Sequence, residues 1–388
     1  MTDVYWRDGA ESPRPALDGD VSVDVAIVGA GNAGLATAWL LAERGVTSAI
    51  VETRTVASGA SGRNGGFLIA GAAPMYNDAC ALFGSDLARR IYAATLDAQA
   101  RVFDIAESVE ASDAVRRVGL LRLAVDADEA AHVRDHAASL ARDGFPGRIV
   151  DAPDLPGPLR RDDRLGLVTD HDASVHPVRW LTALAKDLER RGVRIYENTT
   201  VRHDPARRLV AAGGVLRCGA LVVAADAGLG ALLPEFADRI RPRRLHMVAT
   251  APLDGDHVRQ PVYARYGHEY HQQLPDGRIV LGGFSDLDGT DSYTDREESS
   301  RVVHERLARY LRDDLGVDTP VTHRWVGVVG YTDDQRPRAG AVPDRPDVYG
   351  MGGYCGTGNL CGWVAARIVT DLIVDGDSPD ADLFDPSR

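Results

Sequence analysis

Lysine is all but absent: of 44 basic residues, Lys186 is the one lysine. Chemistry that rests on a lysine amine, as a Schiff base or a general base, therefore has a single candidate. Cysteine is sparse as well. Cys80, Cys218, Cys355 and Cys361 have neither the paired spacing of a zinc site nor the density of a disulfide framework. No metal site is expected, and a reducing, cytoplasmic setting fits. The chain has no apolar run long enough to span a bilayer, and its polar start, MTDVYWRDGAESPRP, lacks the apolar core of a signal peptide. Positive charge is outweighed. A net charge of −13 argues against nucleic acid or an anionic membrane as the main partner.

What is present is ordinary for a folded chain. The 388 residues are 44% apolar and 26% charged, enough for two domains and inconsistent with disorder. Stretches of α/β character lie at 23–52, 171–225 and 348–376, and strand-rich stretches lie between them, above all at 244–283. The interleaving predicts an α/β fold, α+β overall. A Rossmann-like nucleotide-binding domain would be assembled from 1–80, 150–240 and 320–388, and a β-sheet-rich substrate domain from 81–149 and 241–319, both discontinuous in sequence.

The segment VDVAIVGAGNAGLATAWLLAERGVTSAIVE reads as a buried strand, a glycine turn, a helix and a second strand. Gly29-Ala30-Gly31-Asn32-Ala33-Gly34 matches G-x-G-x-x-G, and Glu52 ends the second strand. Gly29 permits the tight turn, Gly31 lets the backbone approach a pyrophosphate, and Gly34 lets helix and strand pack closely. The helix N-terminus offers N–H groups to phosphate, and Glu52 offers a carboxylate to ribose hydroxyls. At this point NAD and FAD both fit. A second polar loop, ASGASGRNGG at 57–66, carries Ser58, Ser61, Arg63 and Asn64 among glycines and can wrap a dinucleotide. Near the other end, GGYCGTGN opens the last helix. Its glycine turn aims N–H groups and a helix dipole at one point, which would favour negative charge on a group bound there.

GAGNAG, Glu52, ASGASGRNGG, the element Asp172, Val175, His176 and Pro177, and GGYCGTGN occur in this order. Together they resemble the D-amino-acid oxidase-like family of FAD enzymes, which includes glycine oxidase and sarcosine oxidase. The ASGRNGG loop is most similar to the γ-glutamylputrescine oxidase branch. The resemblance covers nearly the whole chain and implies FAD; the linking cysteine of the sarcosine oxidase relatives has no counterpart in VGVVGY, which ends at Tyr331, so no covalent link is expected. Gly29, Gly31, Asn32, Ala33, Gly34, Glu52, Thr53 and Arg54 would hold its ADP half. Ser58, Ser61, Arg63, Asn64, Gly65 and Gly66 would run beside the pyrophosphate and flavin. Val201 would pair with the adenine through its backbone, and Ala225 and Gly228 would close over the nucleotide. Gly330 and Tyr331, with Gly353, Gly356, Thr357, Gly358 and Asn359, would flank the isoalloxazine. The implied activity is oxidation of a C–N bond in an amine or amino acid by hydride transfer, with an imine that hydrolyses and with dioxygen reduced to hydrogen peroxide. A dehydrogenase with another acceptor and a non-catalytic nucleotide-binding module are the alternatives.

Substrate residues should come from the strand-rich domain. In HEYHQQL, period-2 alternation sets His268, Tyr270 and Gln272 on one face and His271 and Gln273 on the other. His268 and Tyr270 are the leading pocket residues, Tyr331 and Tyr354 the next, and Phe67 and Ile69 fit either a pocket wall or the core. Two departures from the family stand out. The carboxylate-binding arginine of glycine oxidase and D-amino-acid oxidase maps onto Val329, which leaves Arg244 or Arg265 to supply such a charge. The oxygen-activating lysine of sarcosine oxidase has no counterpart near the flavin, since Lys186 sits on a helix of the nucleotide-binding part.

Overall fold

A computed structural model describes residues 3–9, 12–204, 208–258 and 260–388. The first β-α-β unit forms as read. Strand β1 (Val21–Val28) runs into helix α1 (Asn32–Glu43) through the glycine turn, and β2 (Ser48–Val51) returns parallel to β1. Residues 25–27 of β1 and all of β2 are buried. Three more strands extend this sheet in the parallel sense: Arg194–Tyr196 beside β2, Gly214–Val223 beside β1, and Val348–Gly352 beside Gly214–Val223. The helix Gly358–Val374 follows the last of these and packs with α1 in one apolar core that includes Leu35, Trp39, Trp363 and Ile368. Five parallel strands thus come from three distant parts of the chain, the discontinuous α/β architecture expected from the sequence.

The second sheet has eight strands. In spatial order they are Val321–Tyr331, Arg241–Thr250, Ile279–Gly283, Glu269–Gln273, Val262–Ala264, Leu120–Ala124, Leu165–Thr169 and Arg148–Asp151. All neighbours are antiparallel except Val262–Ala264 with Leu120–Ala124. The expected boundaries at 150 and 320 fall within chain that this sheet uses, because Leu165–Thr169 and Val321–Tyr331 both pair into it. Val321–Tyr331 alternates poorly and carries the run Val326-Gly327-Val328-Val329-Gly330, so its sequence does not announce which sheet it joins. A small third sheet (Phe67–Leu68, Ala173–Val175, Val115–Arg116) links the loop after β2 to Asp172. Asp172 is buried and accepts from the Ala70 N–H (2.9 Å) and the Thr169 hydroxyl (2.5 Å).

Alternation in 268–273 holds. Tyr270 and Gln272 face the glycine loop, with Gln272 donating to the carbonyls of Gly65 (2.6 Å) and Gly66 (3.0 Å), whereas His271 is buried against Tyr310 on the opposite face. Among the described residues no helix is long and apolar enough to cross a membrane.

Candidate active site

The glycine turn after β1 is closed to side chains. A Cβ on Gly34 would lie 2.0 Å from the Gly29 carbonyl oxygen, and Gly29 itself has φ +106°. Helix α1 begins at Gly31 with no side chain of its own capping it. Instead Ser61, from the second polar loop, accepts the Asn32 N–H at 2.9 Å. The Glu52 carboxylate accepts the Ala30 N–H (3.0 Å) and the Arg54 N–H (2.8 Å), which fixes it at the end of β2 beside the turn. Thr53 contacts Thr200 through their hydroxyls at 2.5 Å.

These groups border a cleft of about 660 Å³. Gly29, Gly31, Asn32, Ala33, Glu52, Thr53, Arg54, Ser58, Ser61 and Asn64 line it together with Ala225, Gly228, Tyr354, Gly356, Gly358 and Asn359. Val201 has its side chain in the apolar cluster with Leu209, Leu216 and Leu221 rather than on the cleft wall. A smaller cavity of about 250 Å³ adjoins the cleft and shares Ala60, Asn64, Val329, Gly356 and Asn359 with it. It is lined by His268, Tyr270, Tyr331, Phe67 and Ile69, joined by Gly65, Thr357 and Cys355. Tyr354 lines only the larger cleft, where its hydroxyl is buried and has no hydrogen-bond partner among the described residues.

The two glycine bends are tied together. Asn32 Nδ2 donates to the carbonyls of Gly358 (2.9 Å) and Asn359 (3.1 Å), so the first turn holds the start of the last helix. Asp226, which sequence reasoning passed over between Ala225 and Gly228, closes the other side. Its buried carboxylate accepts N–H groups from Gly330 (3.0 Å), Gly353 (3.0 Å) and Tyr354 (3.3 Å). Desolvation pushes the Asp226 carboxyl above its ordinary range, against the pull of these N–H bonds. The signal was present, since an acid in a run of small residues after a buried strand needs partners.

Two arginines of the polar loop region share one acid. Arg54 and Arg63 both meet Glu297, at 3.0 and 3.1 Å, and Arg63 also donates to the Val326 carbonyl. The two arginines expected to serve a substrate carboxylate do not line the cavity. Arg244 is bound to Asp288 at 2.9 Å, and Arg265 to Glu269 at 3.1 Å and Asp286 at 2.7 Å. Their side chains satisfy acids of the same domain. Arg122 and Arg243 line the cavity instead. Burial raises the Tyr270 and Tyr331 hydroxyls above their ordinary range and lowers His268 below its own. Cys355 is buried, and burial pushes its thiol up to about 11.

The long cleft with a glycine-only turn at one end, a carboxylate beside that turn, and a second glycine bend beside an aromatic cavity at the other has the shape and donor set for FAD. Residues 24–372 match the family model described as FAD dependent oxidoreductase. The chain belongs to that family. It is 26% identical over 398 residues to gamma-glutamylputrescine oxidoreductase of Escherichia coli (strain K12), covering 99% of this chain and 91% of that protein. It is 27% identical over 369 residues to glycine oxidase of Geobacillus kaustophilus (strain HTA426), covering 90% of this chain and 92% of the relative. Among solved structures, glycine oxidase from Bacillus cereus ATCC 14579 superposes with a TM-score of 0.79 at 19% identity, over 94% of this chain and 99% of that one. FAD is accordingly the cofactor of this oxidoreductase.

Proposed function

We propose that the protein oxidises the C–N bond of an amine or amino acid, primary or secondary, with the smaller cavity as substrate site and dioxygen as electron acceptor. The observation that carries the reading is the adjacency of the two spaces. The cavity opens on the cleft through Asn64, Val329, Gly356 and Asn359, where the FAD ring system would lie. FAD, when bound, supplies the acceptor for a hydride leaving the carbon that bears nitrogen. Loss of hydride from the neutral amine gives a protonated imine, which water splits into a carbonyl compound and an ammonium ion. The two electrons, with two protons, convert dioxygen to hydrogen peroxide.

The chain's own residues orient and deprotonate. Hydride departure needs the nitrogen lone pair, so the substrate must bind as neutral amine. His268 lines the cavity, and burial favours its neutral form, able to take the ammonium proton. Tyr270 and Tyr331 remain protonated and offer O–H donors. Phe67 packs edge-on to Tyr263 and Tyr270 and makes one apolar wall. The ADP half would rest on Gly29–Gly34, Glu52 and Arg54, and the flavin between Asn64–Gly66 and Gly353–Asn359. The high Cys355 thiol makes it a poor nucleophile toward the ring, which supports non-covalent attachment. A cytoplasmic location, a reducing setting, fits the sparse and unpatterned cysteines of the sequence.

The test is anaerobic bleaching of the yellow holoenzyme against a panel of amines and amino acids, followed by peroxide measurement in air. Bleaching with stoichiometric peroxide supports the reading. Bleaching with turnover only on an artificial dye replaces oxidase by dehydrogenase, and absence of bleaching by every amine overturns it.

A further inference from the structure

We propose that the smaller cavity is built for a substrate with two negatively charged groups, a dicarboxylic amine, and that Arg122 and Arg243 are its two anion anchors. The inference rests on the reading of this cavity as the substrate site and narrows the substrate class.

The register of the second sheet places the two arginines. Arg122 stands opposite Tyr263, Tyr263 opposite Tyr270, Tyr270 opposite Gly282, and Gly282 opposite Met247. This is one cross-strand row. Arg243 lies four residues before Met247 on the same strand, hence on the same face. Four strand spacings, roughly 19 Å, separate the strands of Arg122 and Arg243, and the four-residue step from Met247 adds roughly 13 Å along the strand, so roughly 23 Å lies between the two backbones. Arginine side chains reaching inward from both ends leave a gap of small-molecule size, floored by Tyr263 and Tyr270, which stack at 5.7 Å between ring centroids. At Gly282 the floor is kept low, because a Cβ there would come 2.2 Å from the Met247 sulfur and 2.3 Å from the Tyr270 ring.

Both guanidiniums lack the partner that their neighbours have. Acidic residues outnumber basic ones, 57 to 44, and Arg63, Arg244 and Arg265 each hold a carboxylate. Among the described residues no ion pair involves Arg122 or Arg243. Arg122 lies 5.5 Å from the Tyr263 ring centroid, and the buried carboxylates of Glu129 and Asp172 act on it through space without contacting it. Arg243 lies 5.4 Å from the Tyr331 ring and donates from Nε to the Ser292 hydroxyl at 3.2 Å. A half-buried guanidinium with no carboxylate in contact has given up hydration without a direct ionic bond, and an incoming carboxylate supplies one, in bidentate geometry. Arg243 also stands directly opposite Val329, on the wall shared with the cofactor cleft, so it is the anchor nearest the reacting carbon. Arg122, at the far end of the row, takes the second group.

The experiment titrates oxidised holoenzyme with probes that cannot lose hydride beside nitrogen, glutarate with two carboxylates, butyrate with one and tert-butylamine with none, and follows the flavin spectrum. Glutarate should bind about 10- to 100-fold more tightly than butyrate, the gain of one charge-assisted pair. R122Q and R243Q should each bring glutarate down to the butyrate level, and R122K and R243K should restore part of the loss. Flavin content and Tm confirm that the variants fold. The proposal is overturned when glutarate binds no more tightly than butyrate, when tert-butylamine binds best, or when folded Gln variants keep the glutarate preference. Anaerobic bleaching in parallel separates the two claims. Bleaching by carboxylate-free amines with no glutarate preference removes the dianion and leaves amine oxidation standing. A glutarate preference without bleaching by any amine removes amine oxidation and leaves the anchors.

Discussion

Asn64 and Asn359, 295 positions apart, exchange side-chain hydrogen bonds in both directions: Asn64 Nδ2 to Asn359 Oδ1 at 3.2 Å and Asn359 Nδ2 to Asn64 Oδ1 at 3.3 Å. Asn359 also donates to the Phe67 carbonyl at 2.8 Å. One amide at the first turn of the last helix thereby sets both the polar loop and the small strand behind it. Asn359→Ala removes these bonds at about 1 kcal/mol each, and the loop must then be ordered by the cofactor itself. FAD affinity should fall about tenfold, read by flavin fluorescence as apoprotein is titrated. An unchanged affinity would mean that the loop is ordered without Asn359.

Asp226 performs the same service between Gly330 and Gly353, and with a charge. Its three N–H bonds come from two separate segments, and its φ is +46°, where Asn and Asp are tolerated better than Ala. Asp226→Ala should cost about 3 kcal/mol through lost bonds and backbone strain together. Asp226→Asn keeps the Oδ1 contacts to Gly353 and Tyr354 and sets an NH2 against the Gly330 N–H, so about 1 kcal/mol is expected. Denaturant midpoints at constant m-value check both.

The nucleotide half of the site was legible because its residues are local in sequence. Gly29 to Glu52 is a single β-α-β unit, and each glycine answers a contact made within it. Arg122 and Arg243 were not legible for the opposite reason. Their shared cavity exists only through an eight-stranded sheet whose register joins residues more than a hundred positions apart, and no local pattern tells Arg243 from its paired neighbour Arg244. Asp226 was missed because it looks like turn punctuation until the strands that it clamps are in place. The alternation of Tyr270 and His271 was readable, since a strand's two faces are fixed by period alone.

Gly31 and Gly34 belong to one motif and should respond differently to the same substitution. A Cβ on Gly34 meets the Gly29 carbonyl oxygen at 2.0 Å, backbone that cannot yield without opening the turn. A Cβ on Gly31 meets only the Ser61 hydroxyl oxygen, at 2.9 Å, and that side chain can rotate away. Gly34→Ala is expected to cost about 3 kcal/mol or more and to give little folded protein. Gly31→Ala should fold with Tm close to wild type but bind FAD at least tenfold more weakly, since the methyl group stands where the pyrophosphate approaches. Circular dichroism with bound-flavin stoichiometry distinguishes the two, and equal loss of fold in both would contradict the assignment.

His271 sets a pH dependence of stability. It is buried against Tyr310, neither ring nitrogen has a partner among the described residues, and burial lowers its pKa to about 3. The unfolded chain protonates this imidazole near pH 6.5 and the folded chain does not. Between those values the unfolded state binds more protons, so stability falls as pH drops below 6.5 and is unaffected above it. At pH 5 the cost from this residue is about 2 kcal/mol, at 1.36 kcal/mol per pH step. His271→Leu replaces the unsatisfied nitrogens with apolar surface of similar volume. The variant should match or exceed wild type at pH 8, and its advantage should widen by about 2 kcal/mol on going to pH 5. Urea unfolding at the two pH values measures the difference directly, and an advantage that stays constant with pH would show that His271 titrates alike in the folded and unfolded chain.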